Sequence, residues 1–179
     1  SRKSNRNANP SDWLMSRGEA NGAFTRDNVC PRRKALADLG VHSIEQPVKA
    51  GTPERMAFVC RMSPVPVALD EELIGHFSAG SKERLLEEIM PRFIILKPAL
   101  VGGFSGAKEW IDLAEKRGIG WWITSALASN VGLNALAQWT ATFAPETPHG
   151  LGTGALYTNN TPSRLVLTAA RPRFDPATH

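Results

Sequence analysis

The stretch VPVALDEELIGHFSAGSKERLLEEIMPRFIILKP, residues 65–98, decides the fold. It opens on an apolar run, Val65 to Leu69, closed by Asp70. It ends on a second run, Phe93 to Leu96, closed by Lys97 and Pro98. Between them lies a helical segment, about Ser81–Met90. A buried strand, a helix and another buried strand make the unit of a parallel α/β fold.

The same unit recurs on both sides. Upstream, a weak run from Leu14 to Glu19 contains Gly18, which softens a strand. A helix over about Thr25–Leu39 follows, stopped by Gly40. Next come Val41-His42-Ser43-Ile44-Glu45 and a turn at Gln46-Pro47. A helix over about Pro53–Met62 has Thr52 as its expected N-cap and Pro53 at its first position. Downstream, the Gly-rich loop Val101-Gly102-Gly103 precedes a helix over about Ser105–Arg117. Its apolar set Ala107, Trp110, Ile111 and Ala114 has helical spacing, and Gly118 ends it. A fifth run, Gly120 to Ser125, leads to a helix over about Ser129–Thr142. A short sixth run lies around Gly150–Gly154. Arg164–Thr168 is expected as one more strand, packed outside.

The chain has 179 residues, about one domain's worth, and 21% are charged. That composition is globular and excludes a coiled coil, a collagen-like repeat or a disordered chain. No apolar run reaches the ~18 residues a membrane span needs. The polar, basic start has no apolar h-region, so an export signal is not expected. Cys30 and Cys60 are then expected as free thiols in a reducing cytoplasm. Residues 1–13 lack apolar periodicity and read as a loop or disordered segment, leaving 14–179 as the domain. Net charge is +4, and residues 1–40 alone hold eight Lys/Arg against four acids. The basic character therefore belongs to one end of the chain. No aromatic interleaving or recognition motif accompanies it, so nucleic acid is not an expected partner.

Four successive runs end in one reactive residue: Glu19, Glu45, Asp70 and Lys97. In a (β/α)₈ barrel such positions meet at the C-terminal face, where active sites sit. Three carboxylates brought to one point repel unless a cation lies between them, and an all-oxygen set suits Mg²⁺, or Mn²⁺. No Cys/His cluster has zinc spacing. A lysine beside such a metal can act in abstracting a proton next to a carboxylate, as a base or as an electrostatic partner of the enediolate. His42 shares a face with Ile44 and reads as a core or packing histidine. His76 and His149 fall in loops.

These residues resemble a known family. Ile44-Glu45-Gln46-Pro47, Ala68-Leu69-Asp70-Glu71-Glu72-Leu73 and Ile95-Leu96-Lys97-Pro98 look like successive barrel strands of the enolase superfamily. Glu19-Ala20-Asn21-Gly22-Ala23-Phe24-Thr25 resembles its Asp-Ala-Asn strand end. Gly118 to Leu127, Asn130 to Asn134 and Gly150 to Gly154 are similar to o-succinylbenzoate synthases. The resemblance covers about Arg17 to Asn160. It implies a lyase of menaquinone biosynthesis, which takes water from a small succinyl-bearing cyclohexadiene carboxylate. It makes Glu19, Glu45 and Asp70 the Mg²⁺ ligands and Lys97 the lysine that stabilises the enediolate. Gly102, Gly103, Ser125 and Leu127 would line the substrate.

Departures from the pattern carry expectations too. Glu19 stands where the family has Asp, and Ala128 where relatives often carry Glu. The family's second-strand lysine base has no counterpart, since Lys3 has the wrong neighbours. The capping domain and first two strands are also missing, leaving an incomplete barrel of about six of the eight strand–helix units. The expectation is a truncated or rearranged copy whose open edges invite association. The alternatives are an N-succinylamino acid racemase, a cycloisomerase, or a barrel fragment without turnover.

Overall fold

A computed structural model describes residues 16–24, 38–143, 147–152, 157–161, 163–168 and 171–174. The chain divides into two compact units, Ser1–Glu72 with Glu88–Arg92, and Leu73–Glu87 with Phe93–His179.

In the first unit, β1 (Arg17–Glu19), β2 (Ser43–Glu45) and β3 (Val67–Leu69) run parallel, with helix α1 (Pro53–Met62) between β2 and β3. A single 3-10 turn over Glu71–Leu73 follows β3. The register sets Glu19 opposite Glu45, and Glu45 opposite Ala68. All three residues of β3 are buried. An apolar strand of this kind suits a parallel sheet, whose two faces are both covered. Helix α1 has the expected bounds, and Pro53 opens it. Thr52 holds the N-cap position but does not cap with its side chain: its hydroxyl donates to the Lys49 carbonyl at 3.0 Å. The helix expected over Thr25–Leu39 falls mostly on residues 25–37, outside the described residues, as does Cys30. His42 is half-buried rather than a core residue, whereas Ser43 and Ile44 beside it are buried.

In the second unit, α2 (Ala79–Ile89) starts two residues before the expected Ser81. Ser78 explains this, because its hydroxyl oxygen accepts the Ser81 N–H and its carbonyl the Lys82 N–H. Strand β4 (Phe93–Leu96) pairs in parallel with β5 (Gly120–Ile123), from Phe93 opposite Gly120 to Leu96 opposite Ile123. Helix α3 (Gly103–Glu115) makes the crossover and buries the expected Ala107, Trp110, Ile111 and Ala114. Helix α4 (Asn130–Ala141) follows β5. At Gly150, where the sixth run was expected to begin, there is an isolated parallel bridge to Thr124; residues 153 and 154 of that run lie outside the described residues. Arg164–Thr168 does yield a strand, β6 (Leu165–Thr168), which pairs antiparallel with an unexpected β7 (Arg171–Phe174). No described helix is long and apolar enough to cross a membrane.

Candidate active site

The first unit carries three carboxylates at the C-terminal ends of neighbouring strands. Glu19 and Glu45 are registered partners, so their side chains leave the same face one strand spacing apart, about 4.8 Å. Asp70 lies one residue beyond β3 and two beyond Ala68, the partner of Glu45. Glu19 is exposed, and its Oε1 accepts the Asn21 amide at 3.0 Å. Glu45 is half-buried and Asp70 buried. Arg17, two residues before Glu19, is drawn below its ordinary pKa by burial, and the Glu45 carboxylate partly opposes that shift.

One side chain binds the ends of β2 and β3 together. Gln46 is 1% exposed. Its Oε1 accepts the backbone N–H groups of Asp70 at 3.0 Å and Glu72 at 3.3 Å. Its Nε2 donates to the Val48 carbonyl and to Glu72 Oε2, each at 3.0 Å. Glu72 is itself buried, and its Oε1 accepts the Gly51 N–H. Gln46 also has φ +36°, a region side-chain-bearing residues rarely adopt. The other such described residues are Asn21, Met90 and Leu127. Met90 closes a helix, but the other three all follow the C-terminal ends of strands. Strained backbone of this kind concentrates at functional edges.

In the second unit, Lys97 follows β4 directly and is half-buried. Its carbonyl accepts the Leu100 N–H, and that of Pro98 accepts the Gly103 N–H at 2.8 Å, turning the chain into α3. The turn needs φ +97° at Gly102 and +72° at Gly103, which glycine adopts without strain. Ser125 is buried past the end of β5, and its hydroxyl oxygen accepts the Ala128 N–H at 2.8 Å. Leu127 is 59% exposed, and its carbonyl accepts the Tyr157 hydroxyl. Nδ1 of His149 accepts the Ile123 N–H at 2.8 Å, tying that loop to β5.

Every sequence-predicted site residue therefore lies at or just beyond a strand's C-terminal end, or at the start of α3. The structure does not gather the carboxylates into a ligand set. Among the described residues, no group of three or more His, Cys, Asp or Glu side chains is placed to hold a metal ion. The donor chemistry nevertheless fits Mg²⁺, which takes carboxylate oxygens. Next to Asp70, the buried Oε2 of Glu71 has no hydrogen-bond partner, leaving an acceptor available to a cation. Sequence reasoning missed Gln46 and Glu72 as a buried pair. The only local signal was a polar residue between Glu45 and Pro47.

Residues 6–169 match the family described as Enolase C-terminal domain-like. The chain belongs to that family. Over 154 residues it is 54% identical to the o-succinylbenzoate synthase of Desulfotalea psychrophila, covering 86% of this chain and 42% of that protein. The crystal structure of MenC from Desulfotalea psychrophila matches with a TM-score of 0.83 and 52% identity, covering 86% of this chain and 43% of the other. The L-amino acid-D/L-Glu epimerase of Francisella philomiragia is 35% identical over 101 residues, 56% of this chain and 28% of that protein. The chain thus spans less than half the length of these relatives. Membership of the enolase family bears out the fold class read from the strand-end pattern, a C-terminal barrel-type α/β domain.

Proposed function

We propose that this chain carries the C-terminal part of an o-succinylbenzoate synthase-like dehydratase acting on a small carboxylate in the cytoplasm. The observation that carries the reading is 54% identity to an o-succinylbenzoate synthase over 86% of the chain. Glu19, Glu45 and Asp70 would hold Mg²⁺. The metal would supply positive charge where the substrate carboxylate becomes an enediolate. Lys97, as an ammonium, offsets the same developing charge, the kind of electrostatic help that dominates many enzymatic rate enhancements. Gly102, Gly103, Ser125 and Leu127 would face the substrate; Ser125 offers a hydroxyl and the glycines offer backbone close to a ligand.

The chemistry removes a proton from the carbon beside the carboxylate and a hydroxide from the neighbouring carbon. Together they leave as water, and the ring becomes aromatic.

The test is a Mg²⁺-dependent dehydration assay, followed by product absorbance, with Lys97→Ala beside the wild type. The expected result is turnover that needs Mg²⁺ and falls by about 10²-fold or more in Lys97→Ala, the scale of losing one electrostatic stabiliser. Turnover indifferent to Lys97 overturns the assignment. Mg²⁺ binding without turnover would make the chain a non-catalytic barrel fragment. The match to an epimerase favours a second reading, proton abstraction and return on an amino-acid derivative. Assaying both substrate classes separates the two.

A further inference from the structure

We infer that Gln46, through its bond to Glu72, is a positioning residue that sets the spacing of the carboxylates at the ends of β2 and β3. The inference rests on the reading of Glu45 and Asp70 as metal ligands.

A primary amide has two acceptor sites on oxygen and two N–H donors. In Gln46 all four are used. The oxygen faces two backbone N–H groups, of Asp70 and Glu72, and the nitrogen faces a carbonyl and a carboxylate. A flipped amide would set donors against donors and acceptors against acceptors, so one orientation is strongly preferred. Fully satisfied buried networks of this kind are rigid and specify one arrangement.

The side-chain network joins the ends of β2 and β3, and the main chain of Gln46 meets the loop after β1. Gln46 follows Glu45 directly. Its side chain holds the Asp70 backbone, and its own N–H donates to the Ala68 carbonyl at 2.9 Å. Its carbonyl accepts the Gly22 N–H at 2.7 Å, fixing the loop that leaves Glu19. That loop passes so close to Lys49 that a Cβ on Gly22 would lie 2.9 Å from the Lys49 Cα. Glu72 extends the network through the Gly51 N–H to the segment before α1. The φ of +36° at Gln46 is the backbone conformation that carries the side chain into this network.

A purely structural role predicts lost stability alone. A positioning role predicts lost metal affinity in protein that remains folded. The pair can be reversed to separate them. In Gln46→Glu two carboxylates face each other, and in Glu72→Gln two amides do. In the double variant an amide at 72 donates to a carboxylate at 46, which still accepts both N–H groups. Only the bond to the Val48 carbonyl is not restored.

The experiment titrates Mn²⁺ alone, read by its free-ion electron paramagnetic resonance signal, at a temperature where every variant is folded. Melting temperatures are measured without metal in parallel. The wild type is expected to bind, Asp70→Ala to lose binding, and each single exchange to weaken it by about 10- to 100-fold, the usual effect of removing a group that orients a ligand. The double variant is expected to recover most of that affinity while its melting temperature recovers only partly. Single variants that melt earlier yet bind Mn²⁺ like the wild type would overturn the positioning role while leaving the ligand reading intact, as would a double variant no better than the singles. Equal binding by wild type and Asp70→Ala, or none by the wild type, would overturn the ligand reading and this inference with it.

Discussion

Glu19 is one position at which this chain departs from the pattern that the resemblance implies. Its carboxylate reaches one methylene further than the Asp the resemblance leads one to expect there. It is engaged by Asn21 two residues on. A displacement of about an ångström at a reacting centre can cost up to ~10²-fold. On the proposed reading, Glu19→Asp is therefore expected to tighten Mn²⁺ binding, measured by titration against the wild type. Weaker binding would show that this site is built around the longer side chain. Cys60 illustrates the opposite case, a reactive type made inert. Burial raises its thiol pKa to about 12, and nearby Glu72 adds to this while Arg61 opposes it. At neutral pH almost no thiolate is present, and the thiolate is the nucleophile.

Among the elements, α3 was the most legible in the sequence, and its start was the least. The set Ala107, Trp110, Ile111 and Ala114 showed the buried face because helical spacing is a local property. The true start at Gly103 depends on the Pro98 carbonyl capturing the Gly103 N–H, a turn contact that no periodicity reveals. The next turn of α3 is held from another helix. Lys82, fully buried, donates to the Gly106 carbonyl at 3.1 Å and to Glu109 at 2.7 Å, with its ammonium 5.6 Å from the Trp110 ring centroid. Gly106 itself has no room for a side chain, since a Cβ there would lie 2.2 Å from the Val101 carbonyl oxygen. Gly106→Ala should push the Gly102–Gly103 loop outward and cost about 1–3 kcal/mol, as overpacking usually does. Urea unfolding checks this, and an unchanged midpoint would refute the close approach.

For the molecule as a whole, the pH dependence of folding has an identifiable contributor. His42 is held below its ordinary pKa by burial first, then by the positive charges of Arg17 and Arg92. The unfolded chain therefore binds this proton more readily than the folded one. The contribution of neutral His42 is fully present above the unfolded value, about 6.5, and is lost as pH falls through the lowered folded value. The melting temperature should fall less between pH 7 and pH 5 in His42→Gln than in the wild type. Equal slopes would remove His42 from the account.

The sequence by itself determined the alternation of strands and helices, the helix bounds of α1 and the placement of Glu19, Glu45, Asp70 and Lys97 at strand ends. Each is a short-range matter, since apolar period, proline, glycine and the charge that closes a run all act within a few residues. Only the tertiary structure decided that Gln46 meets Glu72 and that Lys82 meets Glu109, pairs 26 and 27 residues apart. It also decided that, among the described residues, the carboxylates sharing a strand edge are not gathered into a ligand set. A polar side chain carries no mark in the sequence of whether it is solvated or buried. The partners that allow its burial come from other elements, and the fold alone brings them within hydrogen-bonding distance.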